Sequence, residues 1–279
     1  MALIGRAFTR QVHSLLSRLR HTRKRGTIRR QSPIAFDMRP HPWHCVVCGA
    51  RNISIERGRE AMNCRMCGST WRARAMVLGV LEALGCSDMA LGSVPKSPSL
   101  IGMGISDVPT IHRYLRKKFG YVNTHLHREP KLDLCNVTDD YRGVAQFVIC
   151  SDVLEHVPPP VEKAVSGLRS LVASGGVAVI SVPHIEEGMT EEFYPGLVEY
   201  EVREGRVYWQ DANGRKHCDE TPEFHGGSGL TLAFRLWSLA DLRTSLIQAG
   251  FTSVSDMTFN ASLGVPELGP LHTVLIARA

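Results

Sequence analysis

The stretch that decides the fold runs from Gln146 to His184 and reads QFVICSDVLEHVPPPVEKAVSGLRSLVASGGVAVISVPH. It begins with an apolar run, Phe147 to Cys150, which predicts a strand buried on both faces. From Val161 apolar residues recur at helical spacing, three prolines precede the helix, and Gly175-Gly176 predicts its left-handed cap. Val177 to Val182 is predicted to be a second buried strand. This order places both strands parallel in one sheet, joined by a right-handed crossover.

Polar residues follow both predicted strands directly. Asp152, Glu155 and His156 come after the first strand, and His184 comes after the second. Ligands of open parallel sheets bind at the carboxyl ends of the strands. The sequence therefore predicts a polar site at this edge of the sheet.

The sequence VICSDVLEHV, followed by a helix, a Gly-Gly turn and a strand ending in Val-Pro, resembles the fourth and fifth strands of class I S-adenosylmethionine-dependent methyltransferases. The resemblance covers about residues 76–279, most specifically 146–184 and 238–279. It implies an α/β fold with a Rossmann-like seven-stranded sheet, helices on both faces and an antiparallel last strand. It also implies an enzyme with S-adenosylmethionine as cofactor. The alternative is another doubly wound domain with a polar strand end, since one fold serves many functions.

The first strand of this sheet and its cofactor loop are predicted at Leu100 to Asp107, LIGMGISD. Gly102 and Gly104 would let a ligand approach the backbone closely. Asp107 occupies the third glycine position of G-x-G-x-x-G, which argues against a pyrophosphate cofactor. Ser106 stands where methyltransferases usually have a further glycine, and the acid that usually precedes the loop is absent.

The next elements are predicted to be a helix capped by Gly120, a second strand at Tyr121 to Thr124 and a third at Lys131 to Leu134. The resemblance gives Asp133 the role of reading the adenine amine and Asp152 a place in the cofactor turn. Glu129 is the substitute for the missing ribose-binding acid.

Four cysteines form the pattern C-x2-C, fifteen residues, C-x2-C, and Gly49 or Gly68 follows each pair. Four thiolates complete the tetrahedral coordination of Zn²⁺, so a structural zinc ribbon is predicted at residues 41–75. An iron site or two redox dithiols are the alternatives. The nearby histidines, His41 and His44, are predicted to lie at the surface. The predicted zinc ligands are Cys45, Cys48, Cys64 and Cys67.

Charge is distributed unevenly along the chain of 279 residues. Residues 1–40 hold ten Lys/Arg and one Asp, whereas residues 41–279 hold 23 Lys/Arg and 26 Asp/Glu. This basic tail includes a predicted amphipathic helix that would contact an anionic membrane surface, a partner or phosphates, unless the tail is disordered. The chain has no apolar run near the roughly 20 residues that span a bilayer, and its first residues do not form a secretory signal. The four cysteines outside the C-x2-C pairs are scattered, which suits a reducing compartment. We therefore expect a cytoplasmic location, with membrane association as an alternative.

Residues 76–279 are predicted to form the methyltransferase domain, with an insertion at about 185–229. Two alternating segments, Val198 to Val202 and Arg206 to Gln210, predict a small β-meander in the insertion. A glycine-rich loop containing His225 follows. Ser238 and Asp241 predict a capping box at the start of the next helix.

Four residues are candidates for the proton transfer that methylation of a hydroxyl requires. An imidazole titrates near neutral pH, which makes histidine a suitable general base. His156 is the first choice, followed by His184 and His225, with Glu155 as a residue that orients one of them.

Three functions are open from the sequence. The ribbon, the methyltransferase domain and the FHGG insertion together resemble uncharacterised bacterial methyltransferases of sugar and surface-polysaccharide pathways, which implies a sugar or glycan hydroxyl as acceptor. A four-cysteine ribbon before this fold also resembles a ribosomal RNA guanine methyltransferase, but the slightly acidic body lacks the basic surplus of an RNA-binding surface. The third function is a zinc scaffold with a degenerate cofactor pocket.

Overall fold

The structure, a computed structural model, describes residues 41–54, 62–225, 231–269 and 272–279. The basic tail of residues 1–40 and its predicted amphipathic helix lie outside these ranges. Within them, no helix has the length and apolar character needed to cross a membrane.

The core is a six-stranded sheet that carries the predicted strand-helix-strand unit at its centre. Its strand order is β15-β16-β6-β5-β3-β4. The strands β4, β3, β5 and β6 are mutually parallel, and β16 runs antiparallel to both β6 and β15. The predicted α/β class and its antiparallel last strand are confirmed. The bounds are β3 Ser97–Ile105, β4 Phe119–Thr124, β5 Ala145–Ser151, β6 Val172–Ser181, β15 Ser253–Asp256 and β16 Leu275–Arg278.

The sheet has six strands in the described residues rather than the predicted seven. The segment predicted as the third strand, Lys131 to Leu134, makes one isolated bridge from Lys131 to His125 and then turns. The turn forms because Asp133 accepts hydrogen bonds from the backbone of Cys135, at 2.8 Å, and from the side chain of Asn136, at 2.7 Å. Such local bonds to an aspartate compete with strand pairing.

Helices cover both faces of the sheet, as predicted. On one face α1 and α2 pack on Phe147, Ile149 and Val179. On the other face α3 and α4 pack on the alternate residues of the same strands, among them Val148 and Ile180. Side chains that follow each other along a strand point to opposite faces, so these apolar strands need two layers of helices. The bounds are α1 Trp71–Ala83, α2 Pro109–Leu115, α3 Glu162–Leu171 and α4 Leu239–Gln248.

Two predicted helix caps are wrong. Helix α3 ends at Leu171, and the left-handed Gly175 lies within β6, beside an irregularity in its pairing with β5. Helix α2 ends at Leu115, and Gly120 is the second residue of β4. A Cβ at position 120 would lie 2.5 Å from the carbonyl oxygen of Pro98, so glycine is needed there for close packing of the backbone.

The four-cysteine region packs directly onto the first helix of the sheet domain. Its two strands are β1 His41–His44 and β2 Arg51–Ser54, and they pair antiparallel. The buried side chain of Arg74, from α1, donates hydrogen bonds to the carbonyl oxygens of Gly264, at 2.7 Å, and Ser69, at 2.5 Å, and lies over the ring of Trp43. The ribbon therefore shares one apolar core with the sheet.

The segment between β6 and α4 forms the predicted β-meander and several short strands. Strands β9, β10 and β11 pair antiparallel in the order β11-β10-β9. The short strands β12 and β13 form a hairpin, and β14 pairs with β7 and β8. The bounds are β7 His184–Ile185, β8 Glu191–Glu192, β9 Leu197–Arg203, β10 Arg206–Asp211, β11 Lys216–Asp219, β12 Phe224–His225, β13 Thr231–Leu232 and β14 Arg235–Ser238.

The predicted capping box at the start of α4 is not formed. The Ser238 hydroxyl makes no cap hydrogen bond, and the carboxylate of Asp241 instead accepts a hydrogen bond from the backbone nitrogen of Thr190, at 2.6 Å. The Thr190 hydroxyl in turn accepts from the backbone nitrogen of Ser238, at 3.1 Å. The insertion has replaced a local cap with tertiary hydrogen bonds.

A substitution at Gly79 tests the packing of α1 on the sheet. A Cβ at this position would lie 2.7 Å from a methyl carbon of Val179 on β6. We expect Gly79→Val to lower the free energy of unfolding by about 1–3 kcal/mol, because it overpacks the core. Gly92 is the matched control, since a Cβ there has open space around it. Thermal denaturation should separate the two variants, and equal stability would contradict this packing.

Candidate functional site

The site is built on the carboxyl end of β5, where the chain turns sharply. Asp152 has a left-handed backbone with φ of 55°, and its backbone nitrogen donates to the carbonyl oxygen of Ser181, at 2.8 Å. Its carboxylate lies 3.3 Å from the guanidinium of Arg72, which also donates to the hydroxyl of Ser151, at 3.2 Å. A non-glycine residue in this conformation costs free energy and is common at functional sites. The first helix after the ribbon thus reaches over the end of β5.

The turn after Asp152 carries Glu155 and His156 and is held by a buried arginine. The guanidinium of Arg235, on β14, donates to the carbonyl oxygens of Leu154, at 2.8 Å, and Val157, at 2.7 Å. Its other nitrogens bind both carboxylate oxygens of Glu192, at 2.6 and 3.3 Å. The backbone on both sides of Glu155 and His156 is therefore fixed by one side chain from β14, which follows the insertion.

The hairpin of β12 and β13 brings His225 to the same turn. Nδ1 of His225 lies 2.9 Å from Nε2 of His156. An oxygen of the fully buried Glu155 lies 3.6 Å from that Nε2 and 3.8 Å from that Nδ1. The structure thus joins three of the four predicted catalytic residues in one cluster.

The orientation of the His156 ring follows from its second nitrogen. Its Nδ1 lies 2.8 Å from the carbonyl oxygen of Leu232. A carbonyl can only accept, so Nδ1 carries a proton and donates it. Burial lowers the pKa of His156, against a smaller rise from the Leu232 bond and the charge of Asp152. The neutral ring therefore directs the lone pair of Nε2 into the cluster.

The fourth predicted catalytic residue, His184, takes a different place. It is buried on β7, where its backbone pairs with Trp237 of β14. Its Nδ1 lies 2.9 Å from the carbonyl oxygen of Val182. His184 is not a member of the cluster formed by Glu155, His156 and His225.

A second polar group lies at the carboxyl end of β3, beside β4. Ser106 is left-handed, with φ of 58°, and Asp107 folds back into the protein. One carboxylate oxygen of Asp107 accepts a short hydrogen bond from the hydroxyl of Tyr121, and its backbone bonds the side chain of Asn123. The other oxygen, Oδ1, is buried and has no hydrogen-bond partner among the described residues. Burial raises the pKa of Asp107 to about 7.

The predicted cofactor-binding glycines lie within β3, not in a loop after it. A Cβ at Gly102 would meet the ring of Phe147, and one at Gly104 would meet Asp107 and Tyr121. These glycines make room for neighbouring side chains of the protein. Asp133 lies in the turn that replaced the third strand, and Glu129 is exposed.

The four predicted zinc ligands form a cluster that could hold a metal ion. The sulfurs of Cys45 and Cys67 are 3.7 Å apart, and those of Cys48 and Cys64 are 3.6 Å apart. Ligands of a tetrahedral zinc ion with bonds of 2.3 Å are about 3.8 Å apart. His41 and His44 are exposed, as predicted.

The pKa values of these four thiols differ because the thiols bond each other and are buried to different extents. The hydrogen bond between Cys45 and Cys67 and burial hold the pKa of Cys45 well above its usual range. The same bond lowers the pKa of Cys67 to about 4, and burial raises that of Cys48 to about 11. A divalent cation would stabilise all four as thiolates.

Three residues of this region were missed from the sequence as site residues: Arg72, Asp107 and Arg235. Arg72 had a detectable signal, because a basic residue in the first turn of a helix opposes the helix dipole and suggests a specific partner. Asp107 was considered only as the residue that breaks a glycine motif. Arg235 carried no local signal, since its partners lie at residues 154–157 and 192.

No protein-family model and no curated protein matches the chain. Among solved structures, it is similar to the sugar N-methyltransferase KedS8 of a Streptoalloteichus species, with 12% identity and a TM-score of 0.43 over 76% of this chain and 88% of that one. It is also similar to an S-adenosylmethionine-dependent methyltransferase from Clostridium acetobutylicum, with 9% identity and a TM-score of 0.43 over 75% and 92%. A third similar structure is a Burkholderia thailandensis 1,6-didemethyltoxoflavin-N1-methyltransferase, with 12% identity and a TM-score of 0.38 over 73% of this chain and 77% of that one. Likenesses at these identities and TM-scores do not identify an activity.

The raised pKa of Asp107 predicts how stability depends on pH. Because the folded-state pKa of about 7 exceeds the ordinary value of 3.8, the protonated carboxyl favours the folded state, and this stabilisation is lost as the pH rises towards 7. The side chain of Asp107→Asn has no proton to lose in this range. As the pH rises from 5.5 to 8, we expect the free energy of unfolding of Asp107→Asn to increase by about 2 kcal/mol relative to that of the unsubstituted chain. Denaturant unfolding of both proteins measures the difference. A difference that is constant across this range would contradict the buried carboxyl.

Proposed function

We propose that the protein is a methyltransferase that uses S-adenosylmethionine to methylate a small polar acceptor, a hydroxyl of a sugar or glycan. The observation that carries this proposal is the arrangement of one sheet edge. A buried acid, Asp107, follows β3. The cluster of one carboxylate and two imidazoles, Glu155, His156 and His225, is built on the turn after the adjacent strand β5. A hydrogen-bond acceptor for a cofactor and a group that assists proton removal therefore occupy neighbouring strand ends.

The reaction asks little covalent chemistry of the protein. The acceptor oxygen forms a bond to the methyl carbon as the carbon-sulfur bond breaks, and the electron pair of that bond remains on sulfur. The hydroxyl proton leaves for a basic group. The side chains align the two reactants and place that basic group. The cluster at the end of β5 supplies the basic group, with His156 as its central residue.

The cofactor would lie across the ends of β3 and β5. The buried Oδ1 of Asp107 suits a hydroxyl or amino group of the cofactor, because it has no hydrogen-bond donor among the described residues. Asp152 lies at the next strand end. Gly102 and Gly104 support this place indirectly, since they allow Phe147 and Asp107 to approach β3. Asp133 stays a proposed adenine contact that only a binding measurement tests.

We further propose zinc as the ion of the four-cysteine site, with a structural role. The four sulfurs leave no open coordination position for a substrate. The cluster lies in the same apolar core as Trp43 and Trp71, and Arg74 joins the ribbon to residue Gly264 near the chain's end. Loss of the ion should therefore weaken the sheet domain as well as the ribbon.

The zinc proposal predicts metal content and its release. We expect about one zinc ion per chain to be released when a thiol-blocking reagent modifies the ribbon cysteines, with a fall in melting temperature. Cys218, which is exposed and lies on β11, provides the control, because Cys218→Ser should release the same amount of zinc. Release of iron, or no metal released at all, would show that the site is not a zinc site.

Binding of S-adenosylhomocysteine, the demethylated product, tests the proposed function most directly. We expect calorimetric titration to detect binding, and Asp107→Asn to weaken it by about 1–3 kcal/mol through altered hydrogen bonding. Asp133→Ala tests the proposed adenine contact in the same titration and should also weaken binding; its side chain is partly exposed, so the replacement leaves no buried cavity. A chain that is folded but binds no S-adenosylhomocysteine would support the zinc-scaffold function instead.

The acceptor class is decided by transfer of a labelled methyl group from S-adenosylmethionine. Nucleotide sugars and unmodified RNA should be incubated separately with the full chain. Label in the sugars supports the proposal. Label in RNA alone overturns the glycan assignment in favour of an RNA methyltransferase.

A further inference from the structure

Two imidazoles and a carboxylate converge at the end of β5, outside the four-cysteine site. The three atoms are an oxygen of Glu155, Nε2 of His156 and Nδ1 of His225, separated by 2.9, 3.6 and 3.8 Å. A circle through three points with these separations has a radius of about 2.0 Å, which matches zinc-nitrogen and zinc-oxygen bonds. We propose that Glu155, His156 and His225 bind a divalent first-row transition-metal ion.

The separations from Glu155 favour an ion over a hydrogen-bonded triad. At 3.6 and 3.8 Å the carboxylate oxygen is too far from either imidazole nitrogen for a good hydrogen bond. Neighbouring ligands of a tetrahedral ion with bonds of 2.0–2.1 Å are roughly 3.4 Å apart. An ion between the three groups would contact all three ligand atoms after small movements, including a slight opening of the 2.9 Å contact between the histidines.

The ring of His156 is already oriented as a metal ligand. Its Nδ1 donates a hydrogen bond to the carbonyl oxygen of Leu232, at 2.8 Å. Because Nδ1 carries the proton of the neutral ring, the free lone pair is on Nε2. Histidine ligands commonly bind a carbonyl or carboxylate through the second ring nitrogen, and this contact sets the tautomer and the ring orientation. The carbonyl comes from β13, the partner strand of the one that carries His225.

The ligand set indicates the class of metal. Imidazole nitrogen favours zinc, iron, nickel or copper over calcium, magnesium and manganese, which prefer oxygen ligands. Three protein ligands leave an open coordination position, as in catalytic metal sites. If the proposed methyl transfer is correct, this position would bind the acceptor oxygen, and the ion would lower the pKa of the acceptor hydroxyl. The hydroxyl proton would then pass to solvent water, and the two histidines would act as ligands in place of the direct proton removal proposed above. The metal site does not depend on that function.

Metal titration of the full chain, with the four-cysteine site saturated, tests the proposal. We expect zinc, cobalt or nickel to bind at one further site per chain. His225→Ala and His156→Ala should each weaken this binding by more than about 100-fold, because even changes outside the direct ligands cost 10- to 100-fold. His217→Ala is the matched control, since His217 bonds Asp211 on the meander and is no part of the cluster.

Cobalt distinguishes the two metal sites by spectroscopy. Cobalt in the four-cysteine site gives thiolate-to-metal charge-transfer bands, whereas cobalt at the proposed site has only nitrogen and oxygen ligands and lacks them. We expect the second equivalent of cobalt to add weak visible bands without charge transfer, and His156→Ala to abolish these alone. The proposal is overturned if the unsubstituted chain binds a second equivalent of none of the three ions, whatever the variants do.

The outcome is separable from that of the proposed function. A chain that binds a second ion but no S-adenosylhomocysteine supports the metal site and overturns methyl transfer. A chain that binds S-adenosylhomocysteine but no second ion overturns the metal site and leaves the histidines as direct proton acceptors.

Discussion

Parallel pairing of β3, β5 and β6 is the constraint on which the rest of this structure depends. Parallel strands end at the same edge of a sheet, so the turns after β3 and β5 are neighbours although about 45 residues separate them in the chain. Both turns contain a left-handed non-glycine residue, Ser106 after β3 and Asp152 after β5. Left-handed non-glycine residues of this kind are found often at functional sites.

Two buried arginines connect the accessory parts of the chain to this sheet. Arg74 joins the four-cysteine ribbon to Gly264, and burial lowers its pKa to about 10, which leaves it charged at neutral pH. Arg235 joins the insertion to the turn that holds Glu155 and His156. Each guanidinium donates to two backbone carbonyls, so each arginine fixes two positions of the chain at once. Ribbon, sheet and insertion are for this reason mechanically dependent on each other.

Local sequence patterns predicted most of the helices and strands but failed at three places, one at Gly175, one at Asp241 and one at Asp133. The glycine at position 175 indicated a helix end and the pair Ser238 and Asp241 a capping box, yet Gly175 lies in β6 and Asp241 binds Thr190 of the insertion. Lys131 to Leu134 has the alternation of a strand, but Asp133 bonds its own following residues and forms a turn. For Asp241 the deciding hydrogen bond is made with a residue far away in the sequence, and for Asp133 it is a local bond that competes with strand pairing.

The sequence by itself determined the α/β class, the crossover unit and the four-cysteine cluster, because hydrophobic periodicity and cysteine spacing are local and follow directly from helix, strand and metal geometry. It also named the candidate histidines. Only the tertiary structure decided which of them meet: His225 reaches His156 through the β12–β13 hairpin, while His184 is held on β7 by β14. The relevant distances join residues about 70 positions apart, and no periodicity in the chain encodes such a separation. His225 and His156 therefore come together because the insertion packs on the sheet.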